Sequence, residues 1–157
     1  KNMAPRQHMR KMKVGKVTFT EAYKAVNEYR QKFPQKAVTF YAQNYPAMGW
    51  AVFMAGGSCP VIPCTDKAFL KDAAAMEVEE TNTDEYKKMV KSDIGSIIYS
   101  KSGTEIPVQL SSGKYVLKYI HPASGKIETI NKSLKINGLY KLKVPDKKEG
   151  IYWFHKL

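Results

Sequence analysis

The spacing of apolar side chains changes once along this chain. Up to about residue 92 it is helical or unbroken, and from Asp93 onward it alternates with a period of two. Val17 to Glu21 opens a first helix, where Thr18 and Glu21 stand in capping-box spacing. Ala22, Ala25, Val26, Tyr29 and Phe33 then share one face, Glu28 and Lys32 pair on another, and Pro34 stops the helix. Lys36–Ala42, β-branched and aromatic, reads as a strand. Trp50 to Ala55 has no polar side chain, so a helix over Ala47–Ala55 must be buried on every side. Pro46 suits its first turn, and Gly56-Gly57 supplies the positive φ that ends it. Ser58–Pro63 follows as a very short buried strand closed by proline. Strand, buried helix and strand make a βαβ unit, which implies a parallel sheet.

Thr65 or Asp66 caps a further helix, Lys67–Met76, with Phe69, Leu70, Ala73 and Ala74 on its apolar face. The charged passage Glu77–Asp84 is the clearest candidate boundary. A short helix over Glu85–Val90 is expected after it, capped by Thr83. Strands then follow at Ile94–Ser100, Glu105–Leu110, Lys114–Ile120, Lys126–Ile130, around Leu134 and Ile136, at Tyr140–Val144 and at Ile151–Leu157. Ser111-Ser112-Gly113, His121–Gly125, Asn137-Gly138 and Pro145–Gly150 are the turns between them. Short strands with turn signals at this spacing mean an antiparallel sandwich or barrel. The resulting fold class is an α/β segment followed by an all-β antiparallel sandwich. The division is 1–80 for the α/β part, 81–92 for a linker and 93–157 for the sandwich, which is expected to close its own core and fold alone.

The run Met48-Gly49-Trp50-Ala51-Val52-Phe53-Met54-Ala55-Gly56-Gly57-Ser58, followed by Pro60-Val61-Ile62-Pro63, resembles the last strand–helix–strand of a (β/α)8-barrel family. That family comprises the apiosidase-like and related glycoside hydrolases. Its C-terminal β-sandwich carries the inherited name of collagen-binding domain. The second half is similar to that sandwich in the order of Ile97-Ile98-Tyr99, Val108-Gln109-Leu110, Tyr115–Ile120, Pro122–Gly125 and the aromatic end with Trp153. The resemblance implies the closing part of a barrel with its accessory domain, a glycan or polysaccharide as the parent's substrate, and an extracytoplasmic location, secreted or periplasmic. A whole barrel takes about 250 residues, against 157 here. The resemblance therefore also implies a fragment whose partners include the remainder of a parent protein.

Charge qualifies this picture. The net charge is +12. Residues 1–16 contain six basic residues and no acid, and the stretch is expected to be a loop with half an element. Residues 94–157 hold eleven lysines against four acids. A basic binding module for polyanions, nucleic acid or sulfated glycan, is thus the alternative function. Against nucleic acid, arginine occurs only at Arg6, Arg10 and Arg30, and the C-terminal lysines are spaced along strands, where they keep edges from aggregating. No run of ~18 apolar residues is present to span a membrane. Cys59 and Cys64 are too far apart on an extended segment to bridge, and two buried thiols are expected.

Glycoside hydrolysis normally uses two carboxyl groups, held in a barrel at the C-terminal ends of strands. The strand Lys36–Ala42 runs instead into Gln43, Asn44 and Tyr45, amides and a phenol suited to sugar hydroxyls. These three are the candidate substrate-binding residues. Asp66 is better placed as a helix cap, and Glu21, Glu28, Glu77, Glu79 and Glu80 lie on a helix or in the linker. No carboxylate pair is placed for catalysis, so whether this chain is itself an enzyme stays open; either the parent's catalytic residues lie upstream of Lys1 or the parent is an inactive relative. His8, His121 and His155 form no triad, and no metal or cofactor constellation is present. The aromatic side chains of the second half could form a glycan platform, yet Tyr152 and Trp153 must face opposite sides of a strand and one side is core.

Overall fold

The computed structural model describes residues 17–40, 45–101, 103–146 and 148–157. The basic stretch 1–16 lies outside them. The first helix, α1 (Phe19–Lys32), carries the expected capping box: Thr18 Oγ1 accepts from the Glu21 amide, and the Thr18 amide donates to Glu21 Oε2 at 2.9 Å. Helix α2 (Tyr45–Met54) is buried from Trp50 to Ala55. Helix α3 (Lys67–Ala75) is capped by Asp66, whose carboxylate accepts from the Phe69 amide at 2.8 Å.

The two strands expected on either side of α2 do not form among the described residues. Segments 36–40 and 58–63 meet where the Ser58 amide donates to the Val38 carbonyl at 2.7 Å and Ser58 Oγ accepts from the Val38 amide. Pro60 and Pro63 withhold two of the amides that a ladder would need. Between Val17 and Met76 the described chain is thus three helices joined by irregular connectors.

Eight strands follow among the described residues. They are β1 (Glu77–Glu79), β2 (Tyr86–Lys91), β3 (Gly95–Ser100), β4 (Glu105–Gln109), β5 (Gly113–Ile120), β6 (Ile127–Ile136), β7 (Leu139–Lys143) and β8 (Gly150–Lys156). Six make one sheet in the order β1-β2-β3-β8-β5-β6, antiparallel throughout, while β4 and β7 pair as a second sheet. Two expectations change. Residues 86–91, placed in a linker with a short helix, are a strand hydrogen-bonded to β3, so the sheet already begins at Glu77. The segments around Ile130 and Ile136 are one ten-residue edge strand with a register irregularity opposite Leu117.

The large sheet is covered on both faces. Ile97, Tyr99, Ile120, Ile151 and Trp153 join Trp50, Phe69 and the rest of the helical residues in one core. Their strand neighbours Ile98, Tyr119, Tyr152 and Phe154 pack in a second core with Ile106, Val108 and Leu142 of the small sheet. Because side chains alternate between faces, a sheet buried on both sides reads as the unbroken burial found along β3 and from Gly150 to Phe154 on β8. The layers are helices, six strands, two strands. The antiparallel sandwich is the part of the expected fold class that stands.

Two glycines let the helical layer approach closely. A Cβ on Gly49 would lie 1.6 Å from the Val61 carbonyl oxygen. Gly125, at φ 69°, brings the β5–β6 turn against Pro63, where a Cβ would sit 2.5 Å from the carbonyl oxygen. The cysteines part company: Cys64 is buried, and its thiol pKa is raised by that burial, whereas Cys59 is exposed in a bend at φ 54°.

Candidate functional site

Gln43 and Asn44 lie outside the described residues, and Tyr45 enters only as the first backbone position of α2. The carboxylates set aside as non-catalytic can be placed. Glu21 belongs to the capping box and Asp66 to the α3 cap. Glu79 on β1 pairs with Lys88 on β2, and Glu80 accepts from the Gln31 amide.

One carboxylate behaves otherwise. Asp72, buried on α3, accepts from Trp153 Nε1 at 2.9 Å, and His155 Nδ1 lies 2.7 Å from the same oxygen. An ionised carboxylate can only accept, so Nδ1 carries the proton in that contact. Histidine beside aspartate is the orienting half of a hydrolytic triad, but the groove beside it is lined by Lys71, Asp72, Ala75, Asp93, Ile94, His155, Lys156 and Leu157, with no serine or cysteine. The contact therefore clamps α3 to β8. Trp50 makes a second clamp, donating from Nε1 to the Pro122 carbonyl at 2.8 Å. Phe19 stacks on Tyr99 with ring centroids 3.9 Å apart, a third link between layers. Sequence reasoning missed these partners, although a buried Trp N–H usually finds an acceptor and the two tryptophans are visible in the sequence.

A polar concavity lies between α1 and the β1–β2 loop. Tyr23, Asn27 and Gln31 recur every four residues on α1 and face the loop Glu80-Thr81-Asn82-Thr83-Asp84 across about 470 Å³. Lys87 is buried in its floor, over the Tyr23 ring at 4.8 Å, and donates to the Thr83 carbonyl at 2.7 Å and to Asp84 Oδ1 at 3.3 Å. Hydrogen bonds from Lys24 and Lys87 hold the Asp84 carboxyl below its ordinary pKa. Burial, with the Glu80 charge second, pushes the Tyr23 phenol up to about 12.

The aromatic side chains of the sheet offer no flat exposed row: Tyr99, Tyr115, Tyr119, Tyr152, Trp153 and Phe154 are all buried. Several lysines are engaged on the surface. Lys118 lies over Trp153 at 4.1 Å, Lys148 over Tyr119 at 4.3 Å, and Lys141 pairs with Glu105 at 3.0 Å. Among the described residues no helix is long and apolar enough to cross a membrane.

Residues 1–76 match a family model described as a domain of unknown function, DUF6298. No curated protein matches the chain. Among solved structures, a chain titled "Glycoside hydrolase" aligns with a TM-score of 0.38 at 16% identity, over 50% of this chain and 19% of its own length. This chain thus spans about a fifth of that neighbour.

Proposed function

We propose that this chain is the C-terminal part of an extracytoplasmic glycan-acting protein, in which the β layers are an accessory domain that stabilises the helical part of a barrel. The glycan half of this reading is supported by the resemblance of Met48–Pro63 and of the strand order after it to apiosidase-like hydrolases. The accessory half is carried by one observation: the aromatic side chains that a sugar platform would display are spent on the two cores, Tyr99 and Trp153 on the one shared with the helices and Tyr115, Tyr119, Tyr152 and Phe154 on the one shared with the small sheet. Trp153 meets Phe69 edge-on at 5.4 Å, and Phe69 meets Trp50 at 6.2 Å. A surface used for docking glycans would leave such rings exposed. A domain that braces its neighbour buries them.

The reading requires coding sequence upstream of Lys1 that supplies the barrel strands and the carboxylate pair. The test is to express the whole reading frame and assay release of reducing ends from neutral polysaccharides, beside this chain alone. Activity of the long product, with none from this chain, is the expected result. A reading frame without barrel strands, or one inactive on every glycan tried, overturns it.

A further inference from the structure

We propose that the cleft between α1 and the β1–β2 loop is a binding site for a neutral, polyhydroxylated ligand, a saccharide unit. The inference rests on the glycan reading for its choice among polyols, and on the cleft alone for the ligand's charge and hydrogen-bonding character. Three observations carry it.

The first is charge. Asp84 is met by Lys24 at 3.0 Å and by Lys87 at 3.3 Å, and Glu80 accepts from Gln31. Two ammonium groups and two carboxylates leave the cleft without net charge. A phosphate would find both ammonium groups already committed to Asp84, and a metal cation would find only the Glu80 carboxylate without an ammonium partner, with no group of three metal-ligating side chains gathered there among the described residues.

The second is rigidity. The Lys87 ammonium is fixed from below by the Tyr23 ring and from the side by Thr81, Thr83 and Asp84. Thr81 also donates to the Tyr86 carbonyl at 3.1 Å, and Thr83 Oγ1 accepts from the Glu85 amide at 3.1 Å. The loop is therefore held in its shape before any ligand arrives, which lowers the ordering cost of binding.

The third is what is left over. Among the described residues the side-chain amides of Asn27 and Asn82 have no hydrogen-bond partner, and the Gln31 amide uses only its nitrogen, toward Glu80. Each free amide offers donors and an acceptor side by side. A sugar hydroxyl is likewise both donor and acceptor, so neighbouring hydroxyls match such amides without bringing charge. The cleft's size, about 470 Å³, falls within the ~300–1,000 Å³ usual for ligand sites.

The experiment is titration calorimetry of the full chain with neutral tetrasaccharides of glucose, xylose, mannose and arabinose, alongside inorganic phosphate and calcium chloride. The comparison protein is the double variant Asn27→Ala, Asn82→Ala. Neither amide has a partner to lose, and alanine favours helix α1, so its melting temperature should match the parent's. At least one tetrasaccharide is expected to bind, with affinity at least tenfold weaker in the double variant. Equal binding by both proteins would overturn the cleft while leaving the glycan reading intact. No binding by any tetrasaccharide would overturn the cleft alone, since the wider reading is decided by the whole-frame hydrolysis assay. Phosphate or calcium binding that the double variant weakens would overturn the neutral-ligand assignment.

Discussion

Asp72 shows how much one side chain can decide. It sits on a nine-residue helix between Lys71 and Ala73, and nothing in that local sequence separates it from a solvated face. Its carboxylate is nonetheless the acceptor for a fully buried indole and the partner of His155. Removing it strands the Trp153 N–H away from water, and a buried donor left unsatisfied costs about 1–3 kcal/mol. Asp72→Ala should therefore lower unfolding stability by that amount in urea titrations, and Asp72→Asn, which keeps a carbonyl for the indole, by less. Equal stability of Asp72→Ala and the parent would mean that the clamp holds nothing. The residues that were legible in the sequence, Thr18 with Glu21 and Asp66, are those whose partners lie within three positions. Asp72 and Trp153 are 81 positions apart, and only the fold joins them. The same limit hid Asn27 and Gln31, whose facing loop looked like a solvated linker.

At the scale of elements, α1, α2 and α3 were readable, because helical spacing and caps are local. The alternating strands from β3 onward were readable for the same reason. β2 was not. Its Tyr-Lys-Lys-Met-Val-Lys suits a surface helix, yet Lys87 and Lys88 are buried on opposite faces, one over Tyr23 and the other reaching Glu79 and the Pro107 carbonyl. A lysine neutralised by a ring, carbonyls and a carboxylate can occupy a strand interior, and no pattern of polarity announces it. The strands β3, β5 and β8 also share a set of tyrosines with a common property. Burial raises the phenol pKa of Tyr99, Tyr119 and Tyr152, the last to about 12, as it does for Tyr23 on α1. Unfolded tyrosines ionise near ~10. Above that pH the unfolded chain loses protons that the folded chain keeps, so stability is present in full below about pH 10 and is lost as pH climbs toward about 12. The urea midpoint should fall over that window while phenolate absorbance from these tyrosines lags behind that of the unfolded chain. A midpoint flat to pH 12 would show that these phenols are not held neutral by the fold.

For the molecule as a whole, the decisive feature is that one sheet serves two cores. The sequence predicts that 93–157 closes a core of its own, and the alternation there is real. What alternation cannot show is whether the second face meets water or another layer. Here that face carries Ile97, Tyr99, Ile151 and Trp153 against α2 and α3, and β2 covers the edge of β3. A chain beginning at Asp93 loses both covers. It would present several large apolar side chains as one patch, each worth about 1.5–3 kcal/mol when buried, and patches of that kind drive association. The expectation is accordingly that the full chain unfolds in one transition, with near-ultraviolet signals from Trp50 and Trp153 coinciding with the far-ultraviolet loss of strand. A chain trimmed to 93–157 should bind apolar dye and aggregate instead of melting cooperatively, and one beginning at Glu77, which keeps β1 and β2 but not the helices, should still bind dye. If the trimmed 93–157 chain melted cooperatively at the parent's midpoint, the helical layer would be a passenger, and the bracing role proposed for the sheet would fail with it.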